Sequence, residues 1–207
     1  MTTEITTKRT GGRPRSFDRT VALEHALDVF WRHGYEGASI ACLTSAMGIN
    51  PPSLYAAFGS KEKLYRETLD YYIINVSHEL RASLRQAGST YEAVRQTLLA
   101  SARLCTRKGC PPGCILATGL LRGGEEMQGI IRETSARRVA AQQALAQRLA
   151  HASTCGEIPS DTDVGSLAAY YASVMQGMSV QALDGATYEQ LEKIVELAMN
   201  VWPRDRG

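Results

Sequence analysis

The chain is 207 residues long, 44% hydrophobic and 21% charged, with a formal net charge of +2. That length and apolar content suit one large domain or two small ones with a proper core, and the near-neutral charge argues against a globally basic nucleic-acid binder. No apolar run approaches the roughly eighteen residues of a membrane span, and the polar start MTTEITTKRTGGRPRS is not a secretory signal, so the expected compartment is the cytoplasm.

Charge is nonetheless uneven. Lys8, Arg9, Arg13, Arg15 and Arg19 face Asp18 alone, which reads either as a solvated tail or as an arm for a charged partner. Residues 1–16, with Gly11, Gly12 and Pro14, form the expected flexible arm. The five cysteines, Cys42, Cys105, Cys110, Cys114 and Cys155, read as free thiols in such a compartment.

From residue 17 helical period takes over. Asp18 is the expected N-cap of a first helix, with Phe17 as a staple. Ala22, Leu23, Ala26, Leu27 and Phe30 give it one apolar face, and Gly34 ends it. Ser39 caps a short second helix that stops at Gly48. Pro51 and Pro52 open a third, to Phe58, because a first-turn proline lacks only an N–H that has no helical partner anyway. Ser60 caps a fourth, which the pattern carries as far as Arg85. Further helices are expected over Thr90–Arg107, a short segment Ile115–Arg122, then Gln128–Ala150, Asp163–Leu183 and Thr187–Trp202. The fold class is all-α.

Two short helices joined by a glycine-containing turn make a helix-turn-helix, whose second helix enters the DNA major groove. Asn50, Pro51 and Ser53 then lie nearest the base edges. Tyr55 and Lys61 are placed to hold phosphates, which set register without reading sequence. Arg13 and Arg15 can enter the minor groove or grip the backbone. Thr44 and Leu54 complete the candidate DNA-binding set, although Leu54, four residues before Phe58, also suits inward packing.

The stretch ALDVFWRHGYEGASIACLTSAMGINPPSLYAAFGSKEKL resembles the DNA-binding domain of the TetR family of bacterial transcriptional regulators. The resemblance is carried by Phe30 with Gly34-Tyr35, then Ser39, Gly48, Leu54-Tyr55, Phe58, Lys61-Glu62 and Leu64; the paired prolines Pro51-Pro52 depart from it. It implies a DNA-binding unit over residues 17–60 and an effector-binding and dimerisation unit over 61–207. It further implies a repressor that binds a palindromic double-stranded operator as a homodimer through its last two helices, released by a small-molecule effector. By resemblance Ser39, Tyr55 and Lys61 are phosphate contacts. The small residues Gly165, Ala168, Ala169, Ala172, Ser173 and Gly177 of the penultimate helix, with Leu191, Ile194, Val195 and Ala198 of the last, serve that dimer or the chain's own core.

Candidate effector-pocket residues are His78, Leu98, Cys105, Leu120, Tyr171, Met175 and Met178, each of which also suits plain core. Cys110 and Cys114 flank a proline-glycine turn beside Arg107 and Lys108, whose charge favours thiolate. The alternative function is therefore a thiol-based redox or electrophile-sensing regulator, and below it a helical adaptor without DNA binding. The Cys110-x-x-x-Cys114 spacing is not that of a zinc finger, and no metal, cofactor or catalytic set is expected.

Overall fold

The computed structural model describes residues 17–86 and 88–204. The basic arm, with Arg13 and Arg15, lies outside them. All regular elements among the described residues are helical.

Helix α1 (Arg19–Gly37) starts as its sequence dictates: the Asp18 carboxylate accepts the N–H groups of Thr20 and Val21. Its apolar stripe, Ala22, Leu23, Ala26, Leu27 and Phe30, is buried. Gly34 marks a kink rather than the end, with φ +68°, and the chain makes a further turn. The cause is a close approach. Tyr35 N–H donates to the Gly119 carbonyl at 3.0 Å, and a Cβ on Gly34 would lie 3.1 Å from that oxygen.

Helix α2 (Ile40–Met47) is capped by Ser39 Oγ, which accepts the Cys42 N–H, and ends on Gly48 in the left-handed region. Helix α3 (Pro51–Phe58) is capped by Asn50. Helix α4 (Lys61–Tyr71) is capped by Ser60. The long fourth helix expected to reach Arg85 is interrupted. Residues Tyr72–Val76 form a π-helical turn, in which Ser77 N–H donates to Tyr72 O at 2.8 Å, and α5 (His78–Arg85) follows. The extra residue lets Tyr72 and Ser77 both face inward, an adjustment typical of single π turns inside α-helices.

The remainder comprises α6 (Thr90–Cys105), α7 (Ile115–Thr118), a 3₁₀ turn (Glu125–Met127), α8 (Gln128–Thr154), α9 (Val164–Leu183) and α10 (Tyr188–Met199). A capping box joins Thr187 and Gln190 at the start of α10. Here α7 is shorter and α8 longer than the sequence suggests.

Two cores form. The first joins α1 to α4 with Leu104, Ile115, Leu120 and Ile130. Within it Phe30 and Tyr65, and Trp31 and Tyr72, meet edge-to-face at 5.0 Å, a geometry worth about 0.5–1.5 kcal/mol per pair beyond area burial. The second is built by α6, α8, α9 and α10 around Leu98, Tyr171, Leu191 and Val195. Cys114 packs against both.

Candidate nucleic-acid interface

Helix α3 sorts its residues by face. Leu54 and Phe58 are buried, whereas Pro51, Pro52, Tyr55 and Ala56 are exposed. This corrects one sequence assignment: Leu54 has no exposed surface, so it anchors the helix and cannot touch a duplex. Thr44 is also buried, at 6% exposure, and its hydroxyl donates to Ile40 O at 2.8 Å, which leaves only its edge on the shallow groove formed with Phe17, Ser45, Gly48, Ile49, Asn50 and Ser53.

The caps occupy several polar atoms. Asn50 Oδ1 accepts the Ser53 N–H at 2.9 Å, and Ser39 Oγ accepts the Cys42 N–H at 3.1 Å. Both side chains are exposed and keep their remaining donors. Tyr55 is 48% exposed. Lys61 lies over the Tyr35 ring at 4.5 Å, and partial burial there lowers its pKa below the ordinary lysine value, against the nearby Glu36 charge. Arg19 belongs to the scaffold. It stacks on Phe58 at 4.4 Å and pairs with Glu67 at 2.7 Å, fixing α3 between α1 and α4.

Behind this surface α4 is tied to α8. Arg66 reaches Glu133 at 2.5 Å and Glu62 of its own helix at 2.5 Å, and Arg137 reaches Asp70 at 2.6 Å. Pairing with Arg66 holds the Glu133 carboxyl below its ordinary pKa. Sequence reasoning missed this ladder, because its partners lie 67 residues apart.

The predicted effector residues do not all converge. Leu98, Cys105, Tyr171 and Met178 are buried in the second core, with Met175 partly buried against it. Leu120 belongs to the first core. His78 is exposed and its Nδ1 meets Asn75 O at 3.0 Å; the π turn swings it to solvent, so it lines no interior. Tyr171 is fully buried and its hydroxyl has no partner. Burial raises the Cys105 thiol to about 12.

Cys110 and Cys114 occupy different settings. Arg107 Nε donates to Cys110 Sγ at 3.3 Å. Cys114 Sγ accepts the Tyr72 hydroxyl at 3.1 Å, while its N–H donates to Ser179 Oγ at 2.7 Å. The roles of Tyr72 and Ser179 had no signal in the sequence beyond a polar residue within an apolar helix.

A capped helix-turn-helix with an exposed second helix, carried on a larger helical body, defines a DNA-binding regulator. The family described as bacterial regulatory proteins, tetR family, matches residues 22–68. The HTH-type transcriptional repressor ComR of Escherichia coli (strain K12) is 36% identical over 197 residues, covering 95% of this chain and 94% of ComR. The HTH-type transcriptional repressor BdcR of the same strain is 31% identical over 184 residues, covering 88% of each. A cysteine mutant of the TetR family transcriptional regulator CifR, solved in complex with 26-bp double-strand operator DNA, is 43% identical with a TM-score of 0.89, covering 92% of this chain and 100% of that one. The chain belongs to the TetR family and is a DNA-binding transcriptional repressor of the helix-turn-helix type.

Proposed function

We propose that this chain represses transcription as a cytoplasmic homodimer on a palindromic operator and leaves it when a small-molecule effector binds. Residues 17–60 form the reading unit, and 61–207 carry effector binding and dimerisation. The observation that carries this reading is the exposed face of α3, held by buried Leu54 and Phe58. The relatives named as repressors and the CifR complex with operator DNA support it. Ser39, Tyr55 and Lys61 hold phosphates, Arg13 and Arg15 add the arm's contacts, and Asn50, Pro51 and Ser53 lie nearest the bases.

The outer sides of α9 and α10 favour a dimer. Tyr170, Val180 and Leu183 of α9, Leu197 of α10 and Val201 just beyond it are 38–68% exposed, apolar surface that a second copy would cover. Ala168, Ala172, Leu191, Val195 and Ala198 are buried within the chain, so they support these helices from behind. Tyr171 supports an effector reading, because a buried hydroxyl without a partner is costly unless a ligand or water meets it.

The test is capture of fragmented genomic DNA by the reduced, full-length protein, followed by sequencing. A few enriched palindromic sites are expected. Binding that is equal on all fragments would refute a specific regulator.

A second reading is favoured by the placement of the two cysteines: Cys110 Sγ accepts the Arg107 Nε–H at 3.3 Å, and Cys114 packs against both cores. In it Cys110 and Cys114 sense electrophiles or oxidants. Treatment with N-ethylmaleimide should then release operator from the native protein and not from Cys110→Ser/Cys114→Ser. Equal release from both proteins would sink this reading.

A further inference from the structure

We propose that α3 reads its operator chiefly through thymine methyl groups, which Pro52 and Ala56 meet in the major groove. The inference rests on the operator reading above and moves the main base contacts from Asn50, Pro51 and Ser53 to Pro52 and Ala56.

The first turn of a helix normally presents free N–H groups, and these commonly bind phosphates and anions. Here the first two positions are Pro51 and Pro52, which have none. The next two N–H groups are committed: Ser53 N–H goes to Asn50 Oδ1 at 2.9 Å and Leu54 N–H to Asn50 O at 3.1 Å. The start of α3 therefore has no main-chain donor left for DNA.

Side-chain donors are equally sparse. No Arg, Lys, Gln, Glu or Asp occurs from Ile49 to Gly59, so the usual pairings with guanine and cytosine edges are missing from this helix. Asn50 is the one carboxamide. Its oxygen already accepts the Ser53 N–H, so the donor-plus-acceptor pairing that asparagine makes with adenine would have to share that acceptor with the cap. Ser53 is half-buried. The Tyr55 hydroxyl remains, at the end of a long side chain.

What α3 does present is apolar. Pro52 and Ala56 are both exposed, and their four-residue spacing puts them on one face. In the major groove thymine alone offers an apolar group, its C5 methyl. Small apolar side chains permit close approach to that methyl, where a long polar side chain would hold the helix off.

The experiment uses the full-length protein and duplexes with a randomised centre. Bound sequences are selected and reselected, and each thymine of the resulting site is replaced singly by uracil, which removes only the methyl. We expect one or two positions per half-site where uracil weakens binding by about fourfold, the factor expected from burying one methyl group. In Ala56→Ser, and separately in Ala56→Gly, the loss should vanish at one of those positions, with thermal unfolding showing that each variant is folded. A selected site in which uracil and thymine bind equally everywhere would overturn this inference and leave the operator reading standing. A selection that enriches no sequence would overturn both.

Discussion

Gly34 holds α1 against the loop after α7, with a positive φ and a tight approach to the Gly119 carbonyl that a side chain would have to push back. Gly34→Ala should cost about 1–3 kcal/mol of stability, seen as a lowered midpoint in thermal unfolding. Cys105 gives a second expectation. Its thiol titrates near 12 in the folded chain against an ordinary value of 9.0. Above about pH 9 the unfolded chain loses this proton first, so the contribution is present below that pH and is lost as pH rises toward 12. Urea midpoints should fall across that window, and less so in Cys105→Ala. Iodoacetamide at neutral pH should label exposed Cys42 and Cys155 before Cys105, read by mass spectrometry. At this scale the caps Asp18, Ser39 and Ser60 were legible, because a short polar residue before a periodic apolar run leaves few alternatives. The role of Leu54 was half legible: spacing placed it with Phe58, and only the packing of α1 and α4 decided that both turn inward. That Asn50 caps a helix as well as facing the groove depends on a geometry that spacing alone does not fix.

At the scale of elements, helix starts were easier to read than helix ends. A cap is a local event, whereas an end depends on what the next segment packs against. The break in the fourth helix is the clearest instance. From Leu64 to Tyr72 the inward residues keep helical period, and the phase then slips by one residue to reach Ser77. The slip answers to the surface of neighbouring helices, so nothing local announces it. The pairing of α4 with α8 was hidden for a similar reason, since polar residues on a long helix read as a solvated face. Arg66→Gln and Glu133→Gln should each destabilise by about 0.5–1 kcal/mol, as partly exposed ion pairs do, with a smaller effect at high salt. The double variant should cost much less than the sum of the two. Strict additivity in urea titrations would show that the two groups do not interact in solution.

At the scale of the molecule, the chain's chemistry is divided between its two cores. The exposed face of α3 belongs to one core and the exposed apolar side chains of α9 and α10 to the other; in the proposed function the first meets a duplex and the second a second copy. Leu197 is 68% exposed, and Leu197→Glu should give a folded monomer in analytical ultracentrifugation with operator affinity reduced at least tenfold, because each half-site alone binds weakly. A stable dimer of that variant would place the interface elsewhere. The fold class was legible throughout, since helical period recurs from residue 18 onward. The effector site was not, because Leu98, Tyr171 and Met178 obey the same period whether they line a ligand or each other.

The π turn at Tyr72–Val76 has a mechanical meaning. One residue added to a helix advances everything after it by about 100° around the axis. An α-helix transmits torque like a rod, since each turn is locked to the next. Here the wide turn resets that phase between Lys61–Tyr71 and α5. Tyr72 sits at its start, bonded to Cys114 between the two cores. The Cys114 side chain is thus joined to the residue at which Lys61–Tyr71 and α5 change phase, and α5 turns a different side to its neighbours than an unbroken helix would.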